Sequence, residues 1–503
     1  MNNLHIIVQA GGRGSRLRHH TWNKPKCLVS VRGKPLLYYL FEKFPQAHFH
    51  IIGDYLFDQL EKYLQTNDPG VEYTLTHSTD KGTCSGIARA LSTIPKDSEL
   101  ILTWSDLIIG SLPQWPDTAL PVICTTRAFT CRWTYQNNIL IEEPGSEGIA
   151  GIFYFKRAEY FPEPPIQGEF VKWVSKNILK FEILECNDLE ELGDFTTIET
   201  QNDRSGFSRF FNEVKILETT VEKRAIDPNY SHLIDKEQDW YKSVKDLGFR
   251  RIPKIHSSVP YIMERIVGHH AYQMEDLTDR ERRALLADYL DALTHLHDLG
   301  TEDADLIDVK ETYINKTVNR VNSVSKLIPN FDQPALTVNG TKCKNIFHEK
   351  NQYLLQEIYK ILEPKYFTPI HGDPTFSNSI IDRNLRVWFI DPRGYFAKPG
   401  IWGDPIYDFA KVYYSAIGGY DAFNRRKFKL VIDSETAEIL MEESKFTKAG
   451  QEIFKDYFGN DLKKIEILHG LIWLALSGYA KDDIDSVIGS FYLGLYYLER
   501  GMK

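Results

Sequence analysis

The first ~110 residues alternate short apolar runs with helix-period segments, a pattern that leaves few folds open to the chain. A run such as LHIIVQ at residues 4–9 reads as a buried strand. A parallel sheet covered by helices is the arrangement that buries a series of such strands. Strands are expected at Leu4–Gln9, His48–Ile52, Val71–Thr76 and Glu99–Thr103, with helices near Leu36–Phe44, Tyr55–Gln65 and Cys84–Ile94.

From about Arg204 the pattern changes. FNEVKILE followed by TTVEKRAI reads as a two-stranded hairpin, and a helix runs on through KEQDWYKSV. Beyond Met274 helical periodicity dominates: Leu286, Tyr289, Leu290, Leu293 and Leu296 recur at spacings of three and four, and Gly300 is expected to stop that helix. A chain of 503 residues is too long for one ordinary core. The expected domains are 1–203 and 204–503, the second with a smaller lobe over about 204–272 and a helical lobe over about 273–503.

Composition narrows the class. Hydrophobic residues at 42% and charged residues at 26% are globular values, so large cores are expected. The net charge of −9, without a basic run, argues against nonspecific binding to nucleic acid or to an anionic membrane, so any phosphate recognition is local. The apolar stretch Leu471–Ala480 is far shorter than the ~20 residues of a membrane helix, so no membrane insertion is expected. Cys27, Cys84, Cys124, Cys131, Cys186 and Cys343 form no CxxC pair, which fits reduced thiols in a cytoplasmic protein.

Two segments carry chemistry. In QAGGRGSRLRHHTWNKPKCLVSVRGKPLL, the loop Ala10, Gly11, Gly12, Arg13 and Gly14 follows the first strand directly, and its glycines let backbone amides approach a polyphosphate. Arg13 and Arg16 add charge, and Lys26, after Pro25, offers a second cation to the phosphates at the reacting bond. No Lys-Ser or Lys-Thr follows, as a Walker A loop needs, and GGRG departs from the GxGxxG dinucleotide pattern. Asp106 closes WSD at the C-terminal end of the fourth strand, where ligands collect in open α/β sheets and where a carboxylate can hold Mg²⁺. A strand-end aspartate also caps turns.

The second segment is PIHGDPTFSNSIIDRNLRVWFIDPRGYF, with Asp373, then Asn378, then Asp391 beyond an apolar strand. One carboxylate to take the proton of an attacking hydroxyl, with an amide and a second carboxylate to hold Mg²⁺ against ATP phosphates, is what phosphoryl transfer requires. Lys223, or its rival Lys215, is a candidate to meet the phosphates, with Glu237 on the next helix as the partner of Lys223.

The first segment resembles the signature of the sugar-phosphate nucleotidyltransferases: glycine loop, Arg, Pro-Lys pair, Gly-Lys-Pro turn. That resemblance implies a Rossmann-like, glycosyltransferase-A-like α/β domain in which Arg16 and Lys26 contact phosphates. It makes Gly82 and Thr83 of GTCSGIARAL the base-recognition turn, where Cys84 stands in place of a smaller residue and leaves the base open. It also implies a second metal aspartate, Asp194 in LGDFTTIE, although the Trp and Gly of the family pattern are missing. Gly151 and the acidic contact Glu169 with Lys172 match the acceptor strand and substrate contact.

The second segment resembles the HGD-x4-N motif of the aminoglycoside phosphotransferase and choline kinase family, relatives of the protein kinases. It implies a bilobal, protein-kinase-like α+β domain with Asp373 as base, Asn378 and Asp391 as metal ligands, His371 bracing the loop and a hinge at Met263, Glu264 and Ile266 that binds adenine. The loop RSGFSRF is poor in glycine for the phosphate-gripping loop of such a domain. Asp404 and Asp408 of DPIYDFAK are expected to stabilise the helical lobe. Tyr395, Trp402, Tyr407, Tyr413 and Tyr414 are candidates for a cage around a quaternary amine.

Together the two resemblances imply a bifunctional enzyme with Mg²⁺ as cofactor. It would phosphorylate a small hydroxylated metabolite with ATP and couple the phosphate to a nucleoside monophosphate from CTP or UTP, for surface glycan synthesis. A choline- or ethanolamine-type kinase with a CTP:phosphoalcohol cytidylyltransferase is the alternative. A regulatory protein on the same folds and an antibiotic-resistance kinase are further readings. The oligomeric state is left open.

Overall fold

The computed structural model describes residues 3–78, 82–136, 139–178, 180–205, 212–226 and 231–503. The chain divides into two compact units: Met1–Arg204 with Asp482–Asp485, and Ser205–Lys481 with Ser486–Lys503. Four residues from the end of the helical half thus go with the first unit, a grouping that no local pattern announces.

In the first unit the order is β1 (Leu4–Gln9), α1 (Leu36–Lys43), β2 (His48–Gly53), α2 (Phe57–Thr66), β3 (Tyr73–His77), α3 (Cys84–Leu91), β4 (Glu99–Trp104), β5 (Val122–Thr126), β6 (Gly148–Phe155), α4 (Phe170–Asn177), β7 (Glu182–Glu185) and α5 (Phe195–Ser205). β3-β2-β1-β4 pair in parallel, and β6 joins β4 antiparallel, so the sheet is mixed rather than wholly parallel. Ile6, Ile7 and Val8 are completely buried, as expected of a strand covered on both faces. The order makes β1 and β4 neighbours although β2 and β3 separate them in the chain. The sheet therefore reverses its winding between them, and a crevice opens beyond their C-terminal ends.

Within this unit Lys24 is enclosed, and Asp483, at 2.8 Å, and Asp485 neutralise it. Burial alone would drive the lysine pKa down, but the two carboxylates reverse that and hold it above its ordinary value.

The second unit begins with a four-stranded antiparallel sheet: β8 (Asn212–Ile216), β9 (Thr220–Ala225), β10 (Ile255–Ser258) and β11 (Tyr261–Glu264), in the order β8-β9-β11-β10. The expected hairpin is its first half. The helix α6 (Ser231–Asp246) buries Ile234, Trp240, Tyr241 and Val244, and Ile234 packs on Tyr261 and Met263 of the sheet. The helical lobe holds α7 (Asp279–His297), α8 (Lys316–Asn322), the short hairpin of β12 (Ser379–Ile381) and β13 (Val387–Phe389), α9 (Pro405–Ala416), α10 (Leu462–Ser477) and α11 (Ile484–Met502).

Thr278 and Glu281 form a capping box at the start of α7. Its end differs from the expectation. Asp298 is the C-cap, and Gly300 instead makes room for the Trp402 ring, which lies 2.9 Å from where its Cβ would be. Among the described residues no helix is long and apolar enough to cross a membrane.

Candidate functional site

In the first unit the glycine loop leaves β1 beside the end of β4, at the winding reversal. Ala10 is buried and donates its N–H to the Ile52 carbonyl at 2.8 Å, which fixes the loop's root. Gly14 has φ +66, and a Cβ there would sit 3.1 Å from the Lys26 Cβ, so glycine is required both for the turn and for the lysine stem lying across it. Gly12 and Arg13 are exposed. Gly11 lies against Asp54, with 3.0 Å between the Asp54 Cβ and the place a Cβ would occupy.

Lys26, guided by this stem contact, forms an ion pair with buried Asp106. A two-stranded ladder between Leu107–Ile109 and Leu189–Glu191 then draws the distant aspartate in. Leu192 donates to the Asp106 carbonyl at 2.9 Å, two residues before Asp194. Asp194 caps α5 through the Thr197 N–H at 3.0 Å and the Thr197 hydroxyl, and these bonds hold its carboxyl below the usual range.

Glu191 went unnoticed in the sequence. It lies 3.5 Å from Arg16. Burial first, then Asp106 and Asp194, push its carboxyl up against the pull of Lys26 and Arg16. Asp106, Glu191, Asp194, Lys26 and Arg16 thus form one electrostatic cluster. Only the backbone ladder, at a sequence separation of about eighty residues, reveals it.

The expected base-recognition turn packs on the segment before α4. Gly82 has φ +94 and lies against the Gly168 carbonyl, Cys84 N–H donates to that carbonyl at 3.0 Å, and Thr83 Oγ1 accepts from Phe170 N–H at 2.8 Å. Glu169 is the exposed N-cap of α4 beside this turn. Lys172 is exposed and pairs with Glu142 at 3.2 Å. Gly151, at φ +81, lies flat against the Trp104 indole, where a Cβ would come within 2.2 Å of the ring. It therefore sets the position of an aromatic wall two residues before Asp106.

In the second unit Lys223 Nζ lies 2.5 Å from Glu237 and 2.7 Å from Asp391. The two carboxylates outweigh burial and raise the lysine pKa, so Lys223 is charged throughout the neutral range. Its rival Lys215, on the partner strand β8, is exposed. Asp391 has φ +53, a strained conformation for a residue with a side chain, held by Ile390 N–H donating to the Asn378 carbonyl at 3.0 Å. Asn378 Nδ2 donates to the Asp373 carbonyl at 2.9 Å and to its carboxylate at 3.0 Å. Asn378 is thus bonded to Asp373, Lys223 bridges Glu237 and Asp391, and the Ile390 N–H to Asn378 carbonyl bond ties the two groups together through the backbone next to Asp391.

The turn under them is braced as expected. His371 Nε2 donates to the Ile390 carbonyl at 3.0 Å, and burial holds the imidazole pKa low, so it is a neutral strut. Met263 is buried in β11. Glu264 N–H is taken by the Lys254 carbonyl at 2.8 Å, and Ile266 is half-buried just beyond the strand. RSGFSRF lies largely outside the described residues.

Four of the five aromatic candidates lie against the protein's own charged groups. Tyr395 and Tyr407 hydrogen-bond Arg393 at 3.1 and 2.7 Å, the rings of Tyr407 and Tyr414 flank Lys411, and Tyr413 donates to Glu466 at 3.2 Å. These rings serve the protein's own charges. Lys411, unnoticed in the sequence, lies 2.9 Å from Asp373 Oδ1.

Among the described residues no cluster of three or more His, Cys, Asp or Glu side chains forms a metal cage. Mg²⁺ needs none, since it takes one or two carboxylates and completes its shell with phosphate oxygens and water. Asp106 with Asp194, and Asp391 with the Asn378 amide oxygen, are oxygen donors of that kind.

Residues 6–110 match the MobA-like NTP transferase domain, and residues 206–429 match the phosphotransferase enzyme family. The chain is similar to the bifunctional protein GlmU of Marinobacter nauticus, with 28% identity over 21% of this chain and 23% of that protein. It is equally similar, at 28% identity, to the CTP:phosphoglutamine cytidylyltransferase of Campylobacter jejuni, over 21% of this chain and 44% of that one. The chain thus spans less than half the length of either relative. A solved CTP:phosphocholine cytidylyltransferase from Streptococcus pneumoniae aligns at 18% identity and a TM-score of 0.31, covering 38% of this chain and 95% of the other. By the two family matches, the chain joins a MobA-like NTP transferase domain to a domain of the phosphotransferase enzyme family.

Proposed function

We propose that the chain is a bifunctional enzyme whose second unit phosphorylates a small hydroxylated metabolite with ATP. Its first unit then transfers a nucleoside monophosphate from CTP or UTP to that phosphate, releasing pyrophosphate. The product is an NDP-activated building block of the sort that surface glycan synthesis consumes. The order of the domains is the reverse of the order of the chemistry.

The observation that carries this reading is Lys223 bridging Glu237 and Asp391, with the Asn378–Asp373 hydrogen bond beside them, in the same chain as a glycine loop that positions Lys26 against Asp106. In the kinase step Asp373 takes the proton of the acceptor hydroxyl, and Lys223, oriented by Glu237, meets the ATP phosphates. Mg²⁺, when bound with nucleotide, neutralises phosphate charge. In the transfer step Lys26 and Arg16 stabilise the charge that builds on the phosphates, with backbone amides of the glycine loop as further donors. The name of the Campylobacter relative favours CTP as the nucleotide.

The test is to incubate the protein with ATP, Mg²⁺ and each of CTP, UTP and GTP against a panel of sugars, hydroxy acids and amino alcohols, with mass spectrometry of nucleotide products. Asp373→Ala should lose ADP formation yet convert a supplied phosphorylated acceptor, and Asp106→Ala should do the converse. Joint loss in either variant counts against separate sites. No product from any pair would favour a binding protein on these folds.

A further inference from the structure

Lys316, Arg320, Arg393 and Lys411 form a group of four basic residues next to Asp373. Lys411 contacts the Asp373 carboxylate directly at 2.9 Å. Lys316 opens α8, and Arg320 stands four residues on, on the same face of that helix. Arg393 follows Asp391 by two residues. The Tyr407 ring lies against three of them, with Lys316 Nζ 5.6 Å, Arg393 5.8 Å and Lys411 5.8 Å from its centroid, while Arg320 lies over the Tyr479 ring at 5.5 Å and donates to the Ala475 carbonyl at 3.4 Å. All four cations are half-buried.

Such a grouping is costly without a counter-charge. Burial, then Arg393, Arg320 and Lys411, drive the Lys316 pKa well below its ordinary value, and Asp373 offsets them. Among the described residues, Asp373 is the carboxylate in contact with this group. Asp373 must also be free to take a proton, so it cannot serve as their lasting partner. An incoming anion would complete the site, whereas an ammonium would be repelled from it. The cations sit beside Asp373, where the acceptor hydroxyl must come, while the ATP phosphates already have Lys223 and the Asn378–Asp391 pair.

We propose that the acceptor phosphorylated by the second unit carries its own anionic group, a carboxylate or a phosphate, which Lys316, Arg320, Arg393 and Lys411 hold while its hydroxyl meets Asp373. This rests on the kinase reading above and narrows its substrate class, away from choline, ethanolamine and aminoglycosides. The step balances. The acceptor O–H gives its proton to Asp373, its oxygen bonds to the γ-phosphorus, the bond from that phosphorus to the β,γ-bridging oxygen breaks, and ADP leaves with the electron pair.

The test measures ADP release by the full chain with ATP·Mg²⁺ and four groups of acceptors: glycerate and glucuronate, glycerol 3-phosphate and glucose 6-phosphate, glycerol and glucose, choline and ethanolamine. An anionic acceptor should exceed its neutral counterpart by about ten-fold or more in kcat/KM, the worth of one charge-assisted hydrogen bond. The first two groups tell carboxylate from phosphate. Arg320→Gln and Lys316→Gln should raise KM for that acceptor by about ten-fold while KM for ATP moves by less than about two-fold.

Preference for a neutral or cationic acceptor overturns the proposal and leaves the kinase reading standing. So does a rise in KM for ATP alone, which would assign the cations to the γ-phosphate. If no acceptor turns over, calorimetry decides: the anionic compounds should bind wild type and fail to bind Arg320→Gln. Absence of that difference overturns the proposal, and absence of ATP·Mg²⁺ binding removes the kinase reading as well.

Discussion

Asp408 Oδ1 accepts the backbone N–H of Gly372 at 2.7 Å, from the centre of the turn that carries Asp373. Its Oδ2 takes the His371 N–H at 2.8 Å and His297 Nε2 at 3.1 Å, and the carboxylate is fully buried. Asp408→Ala leaves two buried N–H groups without an acceptor, at about 1–3 kcal/mol each. Urea unfolding of the second unit should show a loss of about 3 kcal/mol, with ADP formation abolished. Unchanged stability would mean that the turn holds itself.

Lys223→Met removes the cation shared by Glu237 and Asp391. Buried Glu237 is then left beside Asp391 without the cation they share, so destabilisation should accompany a fall of about 10²–10³ in kcat/KM for ATP, on the scale of losing a preorganised phosphate contact. Pyrophosphate release from a supplied phosphorylated acceptor should persist. Kinetics at saturating acceptor check the first, and a pyrophosphate assay the second. Wild-type ADP formation would move the phosphate contact to another residue.

Much of this architecture was legible in the sequence where residues act locally. β1 appears where LHIIVQ predicts it, and Asp373, Asn378 and Asp391 lie within one turn-and-hairpin whose spacing shows their relation. What was hidden depends on long-range pairing. Glu191 joins Asp106 through a ladder that no periodicity predicts, and Lys24 meets Asp483 across 459 positions. The cations around Tyr407 come from α8, the segment after β13, and α9, and each alone looks like an ordinary surface charge. The aromatic residues show a related limit: composition shows that rings are present but not which charges they already hold.

Asp404 gives the second unit a pH signature. Burial lifts its carboxyl from 3.8 to about 6, despite hydrogen bonds from Tyr313 at 2.8 Å and Ile406 N–H at 3.0 Å that favour the ion. Between those two values the folded protein keeps a proton that the unfolded chain has lost. The stability that this group contributes is therefore full below pH ~4, falls as pH rises to about 6, and is flat above. Asp404→Asn, a neutral mimic, should gain on wild type by up to about 3 kcal/mol between pH 4 and pH 7. Paired urea titrations at several pH values measure it. A constant difference between the two proteins would show that Asp404 ionises normally.

Gly14 tests whether the glycine loop acts through Lys26. Alanine at φ +66 costs about 1 kcal/mol of backbone strain, and its methyl would press on the Lys26 stem at 3.1–3.3 Å. The first unit should therefore remain folded, since the loop is at the surface, while the ammonium shifts away from Asp106. Displacement of a phosphate-stabilising cation by a fraction of an ångström should lower nucleotidyl transfer by about ten-fold or more, in kcat rather than in KM for the nucleotide. Gly12→Ala is the control, because nothing lies within 4 Å of a Cβ there. If the two alanine variants lose transfer equally, the loop acts by flexibility or by amide contacts alone; if only Gly14→Ala loses it, the lysine stem is the part that the glycine protects.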